Sequence, residues 1–216
     1  MRQVLFTGVE ALRFVLMIAF LVGVSVVVQA QLWLGTFGQS ELLGPILVAV
    51  LVREAGPLLV NFVVIGRSGT AIATELGNMR VNNEVRVLDA QGLDPMVYLV
   101  MPRVLGVVVS VFGLTVAFIA VSCLSGYVCG LVAGVSPTDP MMFVNSVFRA
   151  MGPADFHNLI AKTVIPGALT GAICATEGLR IRGSITEVPQ AATRGVVRSI
   201  AALFIVSAVV SVLTYS

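Results

Sequence analysis

Arg53, Glu54 and Lys162 are the residues of this 216-residue chain least expected in their surroundings, because each interrupts a long apolar stretch. A charged side chain in hydrocarbon is costly unless it faces protein or water, so each needs either a structural partner or a functional task. Adjacent helical residues point about 100° apart, so Arg53 and Glu54 do not share a face. Glu54 needs a partner elsewhere, and Lys162, the only lysine, is the candidate. Two readings stay open for these charges: an ion pair that holds helices together, or a polar element bordering a path for substrate.

No constellation in the sequence supports covalent or acid–base catalysis. A phosphate-binding GxxxxGK[ST] loop is absent, and Gly66-Arg67-Ser68-Gly69 has its glycines without the following lysine, so ATP hydrolysis by this chain alone is not expected. Neither HExxH, a paired-cysteine motif nor a GxSxG elbow occurs. The single histidine, His157, reads as a polar residue near the end of an apolar run. Cys123, Cys129 and Cys174 stand singly in apolar stretches and read as small packing residues. No catalytic residue and no metal site is expected, and a lipid-modifying enzyme would need a nucleophile that the sequence does not offer.

The elements that must position these residues follow from composition. Apolar residues make up 57% of the chain and charged residues only 11%, less than half of the roughly 25% that covers a water-facing surface. The solvent is therefore lipid, and the fold class is all-α: a polytopic integral membrane protein. Crossing the hydrocarbon takes about 20 apolar residues, and runs of that kind lie at about 14–34, 42–66, 98–135, 157–176 and 196–214. Five spans are expected, with the run 98–135 either one long tilted helix or a broken pair. Net charge is +2, too small to argue for nucleic acid.

Twelve of the thirteen basic residues are arginine, and with five alternating spans nearly all fall on one side, Arg149 alone flanking the other. Short basic loops stay in the cytoplasm. The N-terminus, the 67–95 loop and the 177–194 loop are therefore expected there and the C-terminus outside. The external segment 136–156 starts with a cap-like Ser136-Pro137-Thr138-Asp139-Pro140, and Met141, Met142, Val144, Val147 and Phe148 fit either a short interfacial helix or a covered loop. Gly126, Gly130 and Gly134, and Gly167 and Gly171, recur at the four-residue spacing that lets helix backbones approach in a bilayer.

The segment 67–95 is the most informative. Ile72, Leu76 and Met79 recur at helical spacing with Glu75, Arg80 and Glu84 on other faces, which predicts a cytoplasmic amphipathic helix. Gly92 ends it, and Asp94-Pro95 supplies an N-cap and first-turn proline for the next span. Its mixed charges favour docking to a protein over binding to anionic lipid.

Several stretches also match a known pattern: Arg53-Glu54-Ala55-Gly56-Pro57, the run Gly66-Arg67-Ser68-Gly69-Thr70-Ala71-Ile72-Ala73-Thr74-Glu75-Leu76-Gly77-Asn78-Met79-Arg80-Val81, Leu88-Asp89-Ala90, Asp94-Pro95, Pro102-Arg103, and Gly178-Leu179-Arg180-Ile181-Arg182-Gly183 followed by Ala191 to Val197 and Ser199. On these the chain resembles the MlaE/YrbE family of ABC-transporter permeases over nearly its whole length. The resemblance implies a homodimer in the bacterial inner membrane, seated on a dimer of cytoplasmic ATPase subunits that bind ATP and magnesium, this chain holding no cofactor. It also implies an external partner with mammalian-cell-entry (MCE) domains, forming a ring or tunnel, and phospholipid or a similarly hydrophobic cargo moved between inner and outer membranes. Segment 67–95 becomes the coupling helix, with Glu75, Met79, Arg80 and Glu84 at the ATPase.

Arg53, Glu54 and Lys162 match positions where the family also carries charge, and Gln29, Gln31, Leu32 and Trp33 are candidates for the mouth of a lipid cavity. The first apolar run begins near Phe14, where the family places an interfacial helix beforehand, and Ser207 stands in the last span where members often have an Asp. The competing expectation is a self-sufficient secondary transporter or channel using Glu54 and Lys162 as an ion relay.

Overall fold

A computed structural model describes residues 10–37, 42–132, 134 and 140–215. Arg2 and the cap-like residues 136–139 lie outside them, as does most of the segment 35–41. All regular structure among the described residues is helical, and five helices are long and apolar enough to cross a membrane. This outcome is forced by the solvent: in hydrocarbon each backbone N–H and C=O must be satisfied within the chain, and a helix does so locally.

Helix α1 spans Glu10–Phe37, α2 Leu43–Val81, α3 Glu84–Ala90, α4 Met96–Val132, α5 Pro140–Ala150, α6 Pro153–Leu179 and α7 Glu187–Tyr215. The run expected at 98–135 is one helix. At 1.5 Å per residue the 39 residues of α2 have a contour of roughly 58 Å and the 37 of α4 roughly 55 Å, well beyond the ~30 Å hydrocarbon core. Both therefore carry their polar residues into the headgroup region or beyond.

Two of the long helices widen locally. Residues Val48–Ala55 and Met96–Val100 are π-helical, and each stretch runs up to a proline, Pro57 and Pro102. Proline has no N–H for the carbonyl four residues back and its ring crowds that carbonyl. A wider turn relieves the crowding. A third π segment, Ile65–Gly69, carries Gly66 and Gly69.

Segment 67–95 differs from the single helix read in the sequence. Residues up to Val81 continue α2 without a break, and the chain then turns at Asn82-Asn83, where Asn83 adopts a left-handed conformation (φ 60°). Asparagine tolerates that region better than other residues with a Cβ, so the helix splits there and restarts as α3. The face buried on Thr70–Val81 is Ile72, Ala73, Leu76 and Gly77. Gly92 (φ 77°) closes the segment, and Asp94 Oδ1 accepts the N–H of Met96 at 2.8 Å, the N-cap read in the sequence.

The chain divides into two compact units whose limits fall within α1, α2, α4 and α6. One contains residues 12–60 and 114–160. Its core joins Val27 and Leu34 of α1, Leu43, Leu47 and Leu51 of α2, Tyr127 of α4 and Phe143 of α5, with the Tyr127 and Phe143 rings 5.0 Å apart. The segment 140–150 is thus a helix, turning Phe143 inward while Met141, Met142 and Phe148 remain exposed. Small residues bring α1 and α4 together: Gly23 and Gly126 lie against each other's helix, and Ser122 and Ser125 donate to the carbonyls of Ala19 and Phe20 at 3.0 and 3.2 Å.

The other unit holds residues 61–113 and 161–216. Here Gly178 of α6 sits against Ala73 and Leu76, and Gly77 against Ile181 and Val188. A Cβ on Gly171 would come within 2.9 Å of the Val104 Cα, whereas Gly113 has no neighbour within 4 Å. Gly171→Ala is therefore expected to force α4 and α6 apart at a cost of about 1–3 kcal/mol, lowering the melting temperature in detergent micelles. Gly113→Ala is expected to leave it unchanged or raise it.

Candidate functional site

The polar residues gather along α6. Asp155, Asn158, Lys162, Thr163, Thr170 and Glu177 are each at most 4% exposed; steps of three and four residues link the first three and steps of seven, two turns, the last three, which puts them on one flank of the helix. A buried polar stripe along a membrane-length helix needs partners, and the structure supplies several.

At the start of α6, Asp155 closes on Arg53 within the first unit. Arg53 Nε lies 2.7 Å from Oδ1 and Nη2 lies 3.3 Å from Oδ2, a two-pronged guanidinium–carboxylate contact. Asp155 Oδ2 also accepts the Gly152 N–H at 2.9 Å, which satisfies a donor in front of the first turn of α6. Arg53 is on the π-helical stretch before Pro57; wide turns of this kind recur at functional sites. Glu54, the next residue, is exposed.

Lys162 is 1% exposed and belongs to the second unit, whereas Glu54 belongs to the first. One turn beyond Lys162 stands Pro166, inside α6. It has no N–H for the Lys162 carbonyl, which would be left without its helical partner in a buried position. Asn61 of α2 fills the gap: its Nδ2 donates to Lys162 O at 3.2 Å, and Asn61 is 1% exposed.

At the polar end of the second unit Arg103, buried on α4, donates to Leu99 O at 2.8 Å and pairs with Glu75 Oε1 at 2.9 Å. Glu75 itself is half exposed, so the pair ties Thr70–Val81 to the start of α4. Of the other residues assigned to coupling, Met79 and Arg80 are half-buried and Glu84 exposed. On α1, only Gln31 of the four cavity candidates faces inward with Val27 and Leu34; Gln29, Leu32 and Trp33 are exposed.

Asp155, Asn61 and Glu177 were not singled out in the sequence. Asp155 carried a weak signal as an acid in the first turn after Pro153, and Glu177 as one of only two acids, with Glu187, among Arg180, Arg182, Arg194 and Arg198. Asn61 carried none, because its partner is a main-chain atom about a hundred residues away.

Five apolar helices, a buried polar stripe and a polar helical extension describe a multi-pass membrane protein. Residues 1–213 match the family model described as permease MlaE, and the chain belongs to that family. It is 29% identical over 198 residues to a probable ABC transporter permease protein of Rickettsia prowazekii, covering 92% of this chain and 76% of that one. It is 31% identical over 208 residues to a probable ABC transporter permease protein of Synechocystis, covering 95% and 77%. To the intermembrane phospholipid transport system permease protein MlaE of Haemophilus influenzae it is 28% identical over 130 residues, covering 60% and 50%.

Removing the Asn61 cap is expected to cost about 1–3 kcal/mol, the penalty for orphaning a buried carbonyl. In a Pro166→Ala background the restored N–H takes over that carbonyl, so Asn61→Ala should then cost less. Melting temperatures of the two single variants and the double variant check this, and equal losses in both backgrounds would show that Asn61 does not cap Lys162.

Proposed function

We propose that this chain is the membrane-spanning subunit of an ATP-driven transporter that moves phospholipid, or a similarly hydrophobic molecule, between the inner and outer membranes of a bacterium. Two copies form the permease. A separate cytoplasmic ATPase dimer binds ATP and magnesium, and an MCE-domain protein receives or delivers lipid outside. The phospholipid named for the Haemophilus relative supports this cargo, and so does the scarcity of charge in the spans, which suits an oily path better than an ionic one.

The observation that carries the reading is the construction of the polar segment. Thr70–Val81 is continuous with a membrane-length helix, is paired to α4 through Glu75 and Arg103, and lies against α6 and α7 through Gly77 and Gly178. A push on that segment reaches four long helices directly. Arg80 on this segment and Glu84 at the start of α3 are in this reading the foremost ATPase contacts, and Glu75 has the second task of holding Arg103.

Orientation follows from charge. Arg67, Arg80, Arg86, Arg103, Arg180, Arg182, Arg194 and Arg198 all belong to the second unit and only Arg13, Arg53 and Arg149 to the first. The arginine-rich ends of the spans are cytoplasmic by the positive-inside rule. In this reading the N-terminus is cytoplasmic, the C-terminus periplasmic and α5 lies at the periplasmic surface.

The test is reconstitution of the chain with its ATP-binding partner. Arg80→Glu and Glu84→Lys are expected to lower permease-stimulated ATP hydrolysis about tenfold, equivalent to ~1.4 kcal/mol of lost coupling, with melting temperatures unchanged. Full stimulation in both variants would overturn the docking assignment. Uptake without ATP that disappears in Glu54→Gln would instead establish the self-sufficient transporter.

A further inference from the structure

Glu177, near the end of α6, is 4% exposed, and three guanidinium groups converge on it. Arg180 Nη1 lies 3.5 Å from Oε1, Arg194 Nε lies 3.4 Å from Oε2, and Arg198 Nη1 contacts Oε1. The arginine side chains are themselves 70%, 48% and 55% exposed. One buried carboxylate thus anchors three cations, leaving the cluster with a surplus of positive charge at its surface. Glu187, the acid at the start of α7, accepts the backbone N–H of Arg182 at 3.0 Å instead of joining the cluster.

A guanidinium presents five N–H donors in a planar fork, and each of these arginines engages Glu177 through one nitrogen. The remaining donors are free to take a tetrahedral oxyanion, for which the fork is well matched. Anchoring matters because a free arginine gives up rotamer entropy when it is ordered by a ligand, whereas these are already held from behind.

The surface next to the cluster identifies the kind of anion. On α7 the exposed face runs from Arg194 through Val197, Arg198, Ala201, Ile205, Ala208 and Val209 to Val212 in steps of about one helical turn or less. Val197, Ile205 and Val212 are 61%, 65% and 65% exposed. Two guanidiniums therefore head an apolar stripe more than two turns long, on a helix that crosses the membrane. A small soluble anion has no use for the stripe; a molecule with a phosphate at one end and hydrocarbon at the other matches both parts.

We propose that Arg180, Arg194 and Arg198, held by Glu177, bind the phosphate of an anionic phospholipid whose acyl chains lie along the exposed face of α7. This lipid is a resident of the leaflet at which α6 ends and α7 begins, and its site stands whether or not the chain transports lipid.

The experiment uses the full chain in micelles, with native mass spectrometry and thermal melting read in phosphatidylglycerol, phosphatidylcholine or inorganic phosphate. Phosphatidylglycerol is expected to be retained and to raise the melting temperature more than phosphatidylcholine. Its preference should fall about fivefold for each of Arg194→Gln and Arg198→Gln, matching the usual contribution of one arginine at an anionic surface. Arg86→Gln, an exposed change on α3, should leave the preference intact.

Arg198→Lys, which keeps the charge and loses the fork, should reduce it at an unchanged melting temperature in phosphatidylcholine. If either glutamine variant does not fold, Arg180→Gln, at the most exposed of the three positions, carries the test. Folded variants with undiminished phosphatidylglycerol preference would overturn the proposal. So would equal protection by inorganic phosphate, which would mark a free-anion site. Loss of self-association or of a protein partner with lipid preference unchanged would mark the cluster as a protein interface, and would likewise overturn it.

Discussion

The buried carbonyl of Lys162 shows the constraint on which the rest of the structure depends. In a hydrocarbon solvent no water is at hand to take an unmet hydrogen bond, so each departure from a regular helix must be matched by a group from elsewhere in the chain. Pro166 creates such a departure and Asn61 answers it. Pro57 and Pro102 create two more, and the backbone answers by widening into π turns before them. These three prolines are therefore not random breaks: each fixes where a helix needs a neighbour or a local change of pitch.

The same constraint governs charge. Arg53, Arg103 and Glu177 are carried on membrane-length helices, and each has an oppositely charged partner from another helix: Asp155, Glu75 and the arginines of α7. Pairs of this kind are poor sources of net stability, because desolvation consumes most of the attraction. Their value lies in position. Breaking one leaves a charge stranded in a poorly hydrated place, so the helices that carry the partners are held to one register. At Glu75 and Arg103 that fixed register ties Thr70–Val81 to the start of α4.

How much of this was legible in the sequence depends on the range of the interaction. The five spans were legible, because twenty apolar residues in a row have one solution in lipid. So was the Asp94 cap, since its donor is two residues away, and so was the helical character of segment 67–95. The division of that segment at Asn83 was missed, because a left-handed asparagine has no periodicity to announce it. Of the charges on the spans, Arg53 was visible but Asp155 was not: the two are 102 residues apart, and only the folded chain brings them together. Asn61 was invisible for the same reason.

Glycine spacing marks the boundary between these cases. The spacing of Gly126, Gly130 and Gly134, and of Gly167 and Gly171, predicts close helix packing; Gly126, Gly167 and Gly171 do lie against a neighbouring backbone or side chain of their own unit, whereas Gly134 takes φ 70° with nothing within 4 Å and does not pack. Gly77, Gly44 and Gly178 do the same work without any repeat to flag them; Gly44 meets the Ser146 carbonyl, and Gly178 lies 2.6 Å, measured from an added Cβ, from the carbonyl of Ala73. A repeat is visible when one helix uses a face several times, whereas a single crossing needs only one small residue. In a bilayer, where apolar side chains gain little by leaving lipid, helix association rests on such close approaches and on polar contacts. The polar segment Thr70–Val81 has both kinds, with Gly77 and Gly178 for approach and Glu75 for register. Its attachment to the spans thus uses the forces that lipid leaves strong.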